Sequence, residues 1–399
     1  MGADTAGGTR LPLPREVWVL AVVGFLIAIG FGVMSPVLPV YARTFGVSSF
    51  LIGLVVSSLS ILRLITMPVC SRLLRRIGPR ELAIAGNLLV AATTLGIGVS
   101  NSYWGILAWR GLSGFGSALY GVSSMALLFA AVPPPLRGRA NAISGGGFVL
   151  GGMAGPALGG LIAAISIRAP FFFYTVTLCG AAVALVVLLP RTPVEERTVW
   201  RDVTVGLREV VRDRRFRAVV MMSFASGWQS DGVRALLVPL FVVEVAHRST
   251  VWAGIAFAVA AVAQAACLPL TGWGTDRLGR RFMMVAGGTV VVLASGGLAW
   301  TRSYGVLVVI LCIYAISAQA AYSASQALLA DTVPVSTPAG LAAFQMAGDI
   351  GRIVGPLVAG AILDVASMTW AWGAGIVFFV VALALTWRTP AGVRPPVGA

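Results

Sequence analysis

The sequence predicts an all-α integral membrane protein, with twelve transmembrane helices in two pseudo-symmetric six-helix bundles. Composition is the first ground. Of 399 residues, 58% are hydrophobic and only 11% charged, and mean hydropathy is +0.92, whereas about a quarter of a soluble globular chain is charged. The second ground is length: twelve apolar stretches reach the roughly 20 residues a helix needs to cross the hydrocarbon core. The third is an internal repeat at an offset of about 200 residues, in which glycines and prolines stay in step.

A polar tail over residues 1–16 comes first and is expected to be cytoplasmic. No cleavable signal peptide is expected before the first span, and Ala6 stands where a myristoylation motif needs Ser or Thr. The N-terminal bundle, 17–190, holds six spans. The first, 17–42, carries Gly32-Val33 and Pro39. The second, 50–71, carries Pro68 and runs into a turn at Gly78; the third is 80–100. The fourth, 103–131, carries Leu127-Leu128, with Val132-Pro133 after it. The fifth, 142–165, carries Gly151, Gly155, Pro156 and Gly160, and the sixth is 170–190.

The C-terminal bundle, 218–388, repeats these marks. Its spans are 218–243 with Gly232-Val233 and Pro239, 251–272 with Pro269 and then Gly279, and 281–300. They continue with 304–329, followed by Val333-Pro334, then 338–364 with Gly351, Gly355, Pro356 and Gly360, and 369–388. A second cytoplasmic tail covers 389–399. Chance apolar similarity does not keep glycines and prolines aligned across five elements. A duplicated six-helix unit places a substrate path between its halves, near the bilayer midplane. The linker 191–217 has Trp200, Val203, Leu207, Val210 and Val211 at helical spacing with arginines between them. It reads either as an amphipathic helix on the inner membrane surface or as a soluble tether.

The net charge of +15 is an arrangement of arginines; all 29 cationic residues are Arg. Twenty-one fall on one side of the spans, and only Arg43, Arg168, Arg248 and Arg302 on the other. That asymmetry predicts a multi-pass protein of the inner or plasma membrane with both termini cytoplasmic. It also accounts for the basicity without nucleic acid. Cys70, Cys179, Cys267 and Cys312 lie in or at the ends of apolar segments without ligand spacing, and the single His247 is in a short outer loop. No metal or cofactor is expected.

Six ionisable residues fall at mid-helix: Arg63, Arg110, Asp231, Arg234, Asp349 and Arg352. Charges there are expensive and default to functional candidates. Asp231/Arg234 and Asp349/Arg352 share the spacing D-x-x-R, so each pair is expected to meet on one helix face. Two readings stand: a self-neutralised pair that permits insertion, or an acid that trades a proton as its surroundings change. Four arginines against two aspartates favour a neutral or anionic amphiphile over an obligatory cation. Candidate cavity residues are Arg63 with its repeat partner Gln264, Gln319, Tyr322 and Gln326 on one face of the tenth span, and Trp109, Tyr120, Trp228 and Gln229. Plain helix packing is the alternative for each. Without lysine there is no Walker A loop and no Schiff base, so an ion gradient is the economical energy source. No spaced cluster of acid, base and nucleophile suggests an enzyme.

The sequence resembles the major facilitator superfamily over essentially its full length, and within it the twelve-span drug/proton antiporters that include tetracycline efflux proteins. Four motifs carry the resemblance. The first span reads Ile29-Gly30-Phe31-Gly32-Val33-Met34-Ser35-Pro36-Val37-Leu38-Pro39. The turn after the eighth runs from Gly272 through Asp276, Arg277, Gly279 and Arg280 to Arg281, in the family's GxLaDRxGRR pattern. The fourth span has Arg110, Gly114 and Gly116 in the pattern RxxxGxG. The fifth has Gly151, Gly155, Pro156, Gly159 and Gly160 in the antiport signature GxxxGPxxGG, echoed by Gly355 and Pro356. The first loop copy departs from the family, with Ser71 for its first glycine and Arg75 for its aspartate.

The resemblance implies a major facilitator fold and alternating access. It implies export of a small lipophilic or amphiphilic compound in exchange for protons. Because family cavities are lined by helices 1, 4, 7 and 10, it favours Asp231 over Asp349 as proton carrier and gives Arg110 a part in coupling. It also places the glycine face of the fifth span against the other half. The loop charges suggest that acidic loops at Asp276 and Asp331 pair with basic loops of the opposite half, Asp276 with Arg139; ordinary positive-inside arginines are the alternative. Import of a nutrient by symport or facilitation, and lipid handling, remain open as well. Expected partners are a small-molecule substrate, protons and the bilayer, with the chain acting as a monomer.

Overall fold

The spans begin and end where local chemistry dictates. The computed structural model describes residues 13–133, 136–190, 213–332 and 338–389. Both tails, apart from 13–16 and 389, and linker residues 191–212 lie outside them, so the amphipathic-helix reading concerns residues not described. The first span is Arg15–Met34 followed by Leu38–Arg43; the second to sixth are Ser49–Ile77, Pro79–Val99, Tyr103–Ala131, Arg137–Ile165 and Ala169–Leu188. The seventh runs from Arg214 to Val245 through two π-helical turns, Gly227–Val233 and Phe241–Val245. The eighth to twelfth are Thr250–Arg277, Arg280–Trp300, Tyr304–Thr332, Pro338–Val365 and Met368–Trp387.

Side chains cap some of these starts. The Ser48 hydroxyl accepts from the Leu51 amide, and Asp213 accepts from Arg215, each satisfying an amide the first turn leaves free. The second and eighth helices run further than their apolar stretches and carry the loop motif as their last turns. Asp276 and Arg277 are therefore helical. Both helices stop at a glycine in the left-handed region, Gly78 at φ 99° and Gly279 at φ 97°, where a side chain would be strained. The first and seventh spans differ at one residue. Pro36 lacks an amide and lies where the first span is interrupted; its repeat partner Leu236 has one, and the seventh stays helical throughout.

The two bundles pack alike. In the first, helix 1 lies against 5 and 6, helix 3 against 4 and 6, and helix 2 against 4. In the second, helix 7 lies against 11 and 12, helix 9 against 10 and 12, and helix 8 against 10. In lipid, burial of apolar surface gives little drive, so close backbone approach has to supply contact energy. Gly151, Gly155 and Gly159 supply it to helix 1: a Cβ on Gly155 would stand 2.6 Å from the Gly32 Cα and the Ile29 carbonyl oxygen. Gly351 and Gly355 do the same to helix 7. This corrects the expectation that the four-residue glycine face meets the other half. The halves meet through the next positions round. Gly160 and the Pro156 carbonyl pack on Gly254 of helix 8, while Gly360 packs on Ser49 and the Pro356 carbonyl on Gly53 of helix 2.

Polar contacts between the halves cluster toward the arginine-poor end. Arg43 pairs with Glu244 at 2.7 Å. The Asp364 carboxylate accepts the Ser49 and Phe50 amides at 2.7 and 2.9 Å, and the Ser57 hydroxyl donates to the Ile353 carbonyl at 2.7 Å. Among the described residues, no hydrogen bond or ion pair joins the halves toward the arginine-rich end. Asp331 pairs there with Arg280 of its own half, which corrects the expected partner for that acid, and Asp276 does not meet Arg139. Exposed tryptophans ring the molecule near both ends, Trp18, Trp273 and Trp387 at one and Trp104, Trp300 and Trp370 at the other, as interfacial anchors do.

Candidate functional site

Between the halves, just past the Ser57–Ile353 contact, lies a cavity of about 210 Å³. Three helices bring its charges together. Helix 11 supplies Asp349 and Arg352, which share a face because residues three apart lie roughly 60° round the axis. Helix 7 supplies Asp231 and helix 2 supplies Arg63. Arg352 serves both acids: its Nη2 donates to Asp349 Oδ1 at 2.7 Å and its Nη1 to Asp231 Oδ2 at 2.8 Å. Asp349 is buried, its side chain 7% exposed, while that of Asp231 is 45% exposed. Asp231 is therefore the acid that meets the cavity's contents.

The expected Asp231–Arg234 pair does not form. Asp231 sits inside the π-turn Gly227–Val233, where the wider winding separates residues three apart more than an α-helix does. Arg234 instead donates from Nε to the Ser230 carbonyl at 2.9 Å and lies over the Phe257 and Tyr314 rings. Arg110 is also elsewhere. It is buried in the first bundle, with Nη1 3.9 Å from the Met34 sulfur and its guanidinium over the Phe31 ring. The five charge-coupling candidates thus resolve into one triad and two separate arginines.

The cavity candidates divide similarly. Arg63 and Tyr322 line the cavity. Gln264 does not join Arg63; its amide donates to Gln319 at 2.9 Å, and Gln319 donates to Ser323 at 2.8 Å, a chain tying helix 8 to helix 10. Gln229 is fully buried and donates to Ser295 and the Trp372 carbonyl. Trp228 packs on Phe224 and Phe378 within the second bundle. Tyr120 packs against the apolar core of the first bundle, Trp109 lies over Gly96, and Gln326 is exposed outside the lining. Apart from Gln326, whose side chain stands beside the Tyr322 hydroxyl, these are packing residues. The motif glycines pack too: a Cβ on Gly114 would collide with the Leu59 carbonyl, and one on Gly116 would stand 2.8 Å from the Gly86 carbonyl.

Sequence reasoning missed Ser223, Gly227, Gln345 and Gly348, which complete the lining. A signal was there. Residues 223, 227 and 231 fall four apart on helix 7, and 345, 348, 349 and 352 follow the helical repeat on helix 11, so each helix shows a small or polar stripe within an apolar sequence.

The Major Facilitator Superfamily model matches residues 20–302 and 249–399. Among curated proteins, the quinolone resistance protein NorA of Staphylococcus aureus (strain MRSA252) is 30% identical over 166 residues, 40% of this chain and 41% of NorA. The multidrug efflux protein YfmO of Bacillus subtilis (strain 168) is 26% identical over 229 residues, 57% of this chain and 56% of YfmO. The chain thus spans roughly two fifths to just over half the length of these relatives. Among solved structures, a mutant of the nucleoside transporter NupG superposes with TM-score 0.77 at 14% identity, covering 93% of this chain and 99% of that one. The human organic anion transporter MFSD10 (TETRAN) superposes with TM-score 0.69 at 19% identity, with 93% and 99% covered. Likeness at such identities speaks for the fold alone.

Proposed function

Because the chain belongs to the major facilitator superfamily, we propose that it is a secondary active transporter that exports a small lipophilic or amphiphilic compound in exchange for protons. The observation that carries the reading is the shared arginine. Arg352 holds two carboxylates at the cavity between the halves, and one of them, Asp231, is open to the cavity. With the arginine-rich end read as cytoplasmic from its charge, we take this form as inward-open, its outer end closed by the Arg43–Glu244, Asp364–helix 2 and Ser57–Ile353 contacts.

Arginine stays charged and does not itself carry the proton. In the inward-open state its two contacts compensate both acids. Rocking of the bundles that closes the cavity over Asp231 and draws Arg352 from it leaves a carboxylate without its cation, out of water. Taking up a proton removes that cost. When the inward-open form pairs Asp231 with Arg352 again the proton is shed, and a substrate that binds only this unprotonated form exchanges with it, which is the condition for antiport. The names of NorA and YfmO support efflux of drug-like compounds as the direction.

Purified protein in vesicles, given an imposed pH gradient and a panel of amphiphiles, tests this. Gradient-driven substrate movement is expected, and Asp231→Asn should abolish it while substrate counterflow without a gradient persists. Movement that ignores the gradient, or a full gradient response in the Asp231→Asn/Asp349→Asn double variant, would overturn proton coupling through this cluster.

A further inference from the structure

The cavity's two arginines and two aspartates balance in number but not in contacts. Arg352 makes short contacts with both acids, whereas Arg63 lies within electrostatic reach of Asp349 but forms no ion pair with it among the described residues, and its buried Nε has no hydrogen-bond partner. Arg63 is also the one charged lining residue that the N-terminal bundle contributes. It lies six positions, or about 9 Å along helix 2, past Ser57, whose hydroxyl closes on Ile353. That puts it at the closed apex of the cavity, where the halves begin to part. Its repeat partner Gln264 is engaged by Gln319, so the second bundle offers no equivalent group. Arg110 and Arg234, the other intramembrane arginines outside the triad, do not line the cavity.

Guanidinium groups withdrawn from water are ordinarily paired, and a carboxylate matches their fork of donors in a bidentate way that an amide or alcohol does not. Ser223, Tyr322 and Gln345 stand around the same space with neutral donors and acceptors. The volume, about 210 Å³, is below the roughly 300–1,000 Å³ of drug-sized sites, so it takes the polar head of a ligand while an apolar body extends toward the open end. We propose that the transported compound is an organic acid whose carboxylate is bound by Arg63. This rests on the reading of the cavity as the transport site and names the substrate class for it. It also gives the two bundles separate tasks, with the first holding the anion and the second the proton-linked triad.

Binding of 2-naphthoate and of its neutral near-isostere 2-naphthamide to the full chain in lipid nanodiscs tests the proposal by titration calorimetry. Naphthoate should bind at least tenfold more tightly than naphthamide. Arg63→Gln should remove that preference, and Arg63→Lys should retain part of it. In the unsubstituted protein, naphthoate but not naphthamide should slow modification of Arg63 by phenylglyoxal, read by peptide mass spectrometry; this arm holds even if the variants do not fold. Equal affinity for acid and amide, binding of neither, or a preference that survives Arg63→Gln would overturn the assignment. In vesicles under a pH gradient, movement of naphthamide without naphthoate would sink the acid assignment and leave the exporter reading standing. A gradient that moves no compound of the wider panel would sink the exporter reading itself.

Discussion

Arg352 answers two carboxylates from different helices, and that arrangement sets what single substitutions do. Arg352→Met leaves Asp349 buried without its cation. A broken buried pair costs about 3–5 kcal/mol, and with Arg352 and Asp231 partly exposed a loss of about 1–3 kcal/mol is expected after allowing for solvent. Adding Asp349→Asn should restore part of it. Thermal unfolding in detergent checks both, and a double variant no more stable than Arg352→Met would show that the pairing is not what matters. Asp349, Arg352 and Asp231 were all legible as intramembrane charges; their partnership was not. The D-x-x-R spacing predicts a partner on the same helix, which holds for Asp349. It fails for Asp231 because the π-turn changes the winding locally and another helix brings Arg352 closer.

Among the elements, helix 5 shows how one stretch serves two contacts. Its positions 151, 155 and 159 fit the backbone of helix 1, and positions 156 and 160 fit helix 8 across the interface. The first set should tolerate no side chain. Gly155→Ala would put a Cβ 2.6 Å from backbone atoms of helix 1 and should destabilise by about 1–3 kcal/mol, the usual cost of overpacking. Gly152→Ala, where a Cβ meets nothing within 4 Å, should fall within about 0.5 kcal/mol of the parent. Melting temperatures of the two variants side by side decide; equal losses would contradict the packing. Glycine spacing marks a bare face on a helix. Which neighbour fills it is set by helix 5 being wedged between helix 1 of its own bundle and helix 8 of the other.

For the molecule as a whole, a few polar contacts between the halves close one end. Asp364 caps the start of helix 2 across the interface with two hydrogen bonds, and its repeat position holds Ala164, so the latch belongs to one side of the pseudo-symmetry only. Exposed charge-assisted contacts of this kind are worth about 1 kcal/mol. Under the alternating-access proposal, Asp364→Ala should accordingly raise the population open at that end roughly fivefold. Spin labels at Thr44 and Ser249, one in each half, report it as a longer distance; an unchanged distance distribution would remove Asp364 from the gate. The solvent, the number of spans, their duplication and the side on which charge collects are all legible in the residues alone, because each follows from composition and periodicity along the chain. Packing between helices alone sets which helix faces which, that one arginine serves two acids, that Arg63 forms no ion pair with either of them, and which end is shut. Those depend on how helices are rotated and stacked against one another, where contacts of about a kilocalorie each choose between arrangements that the pattern of any single helix allows equally.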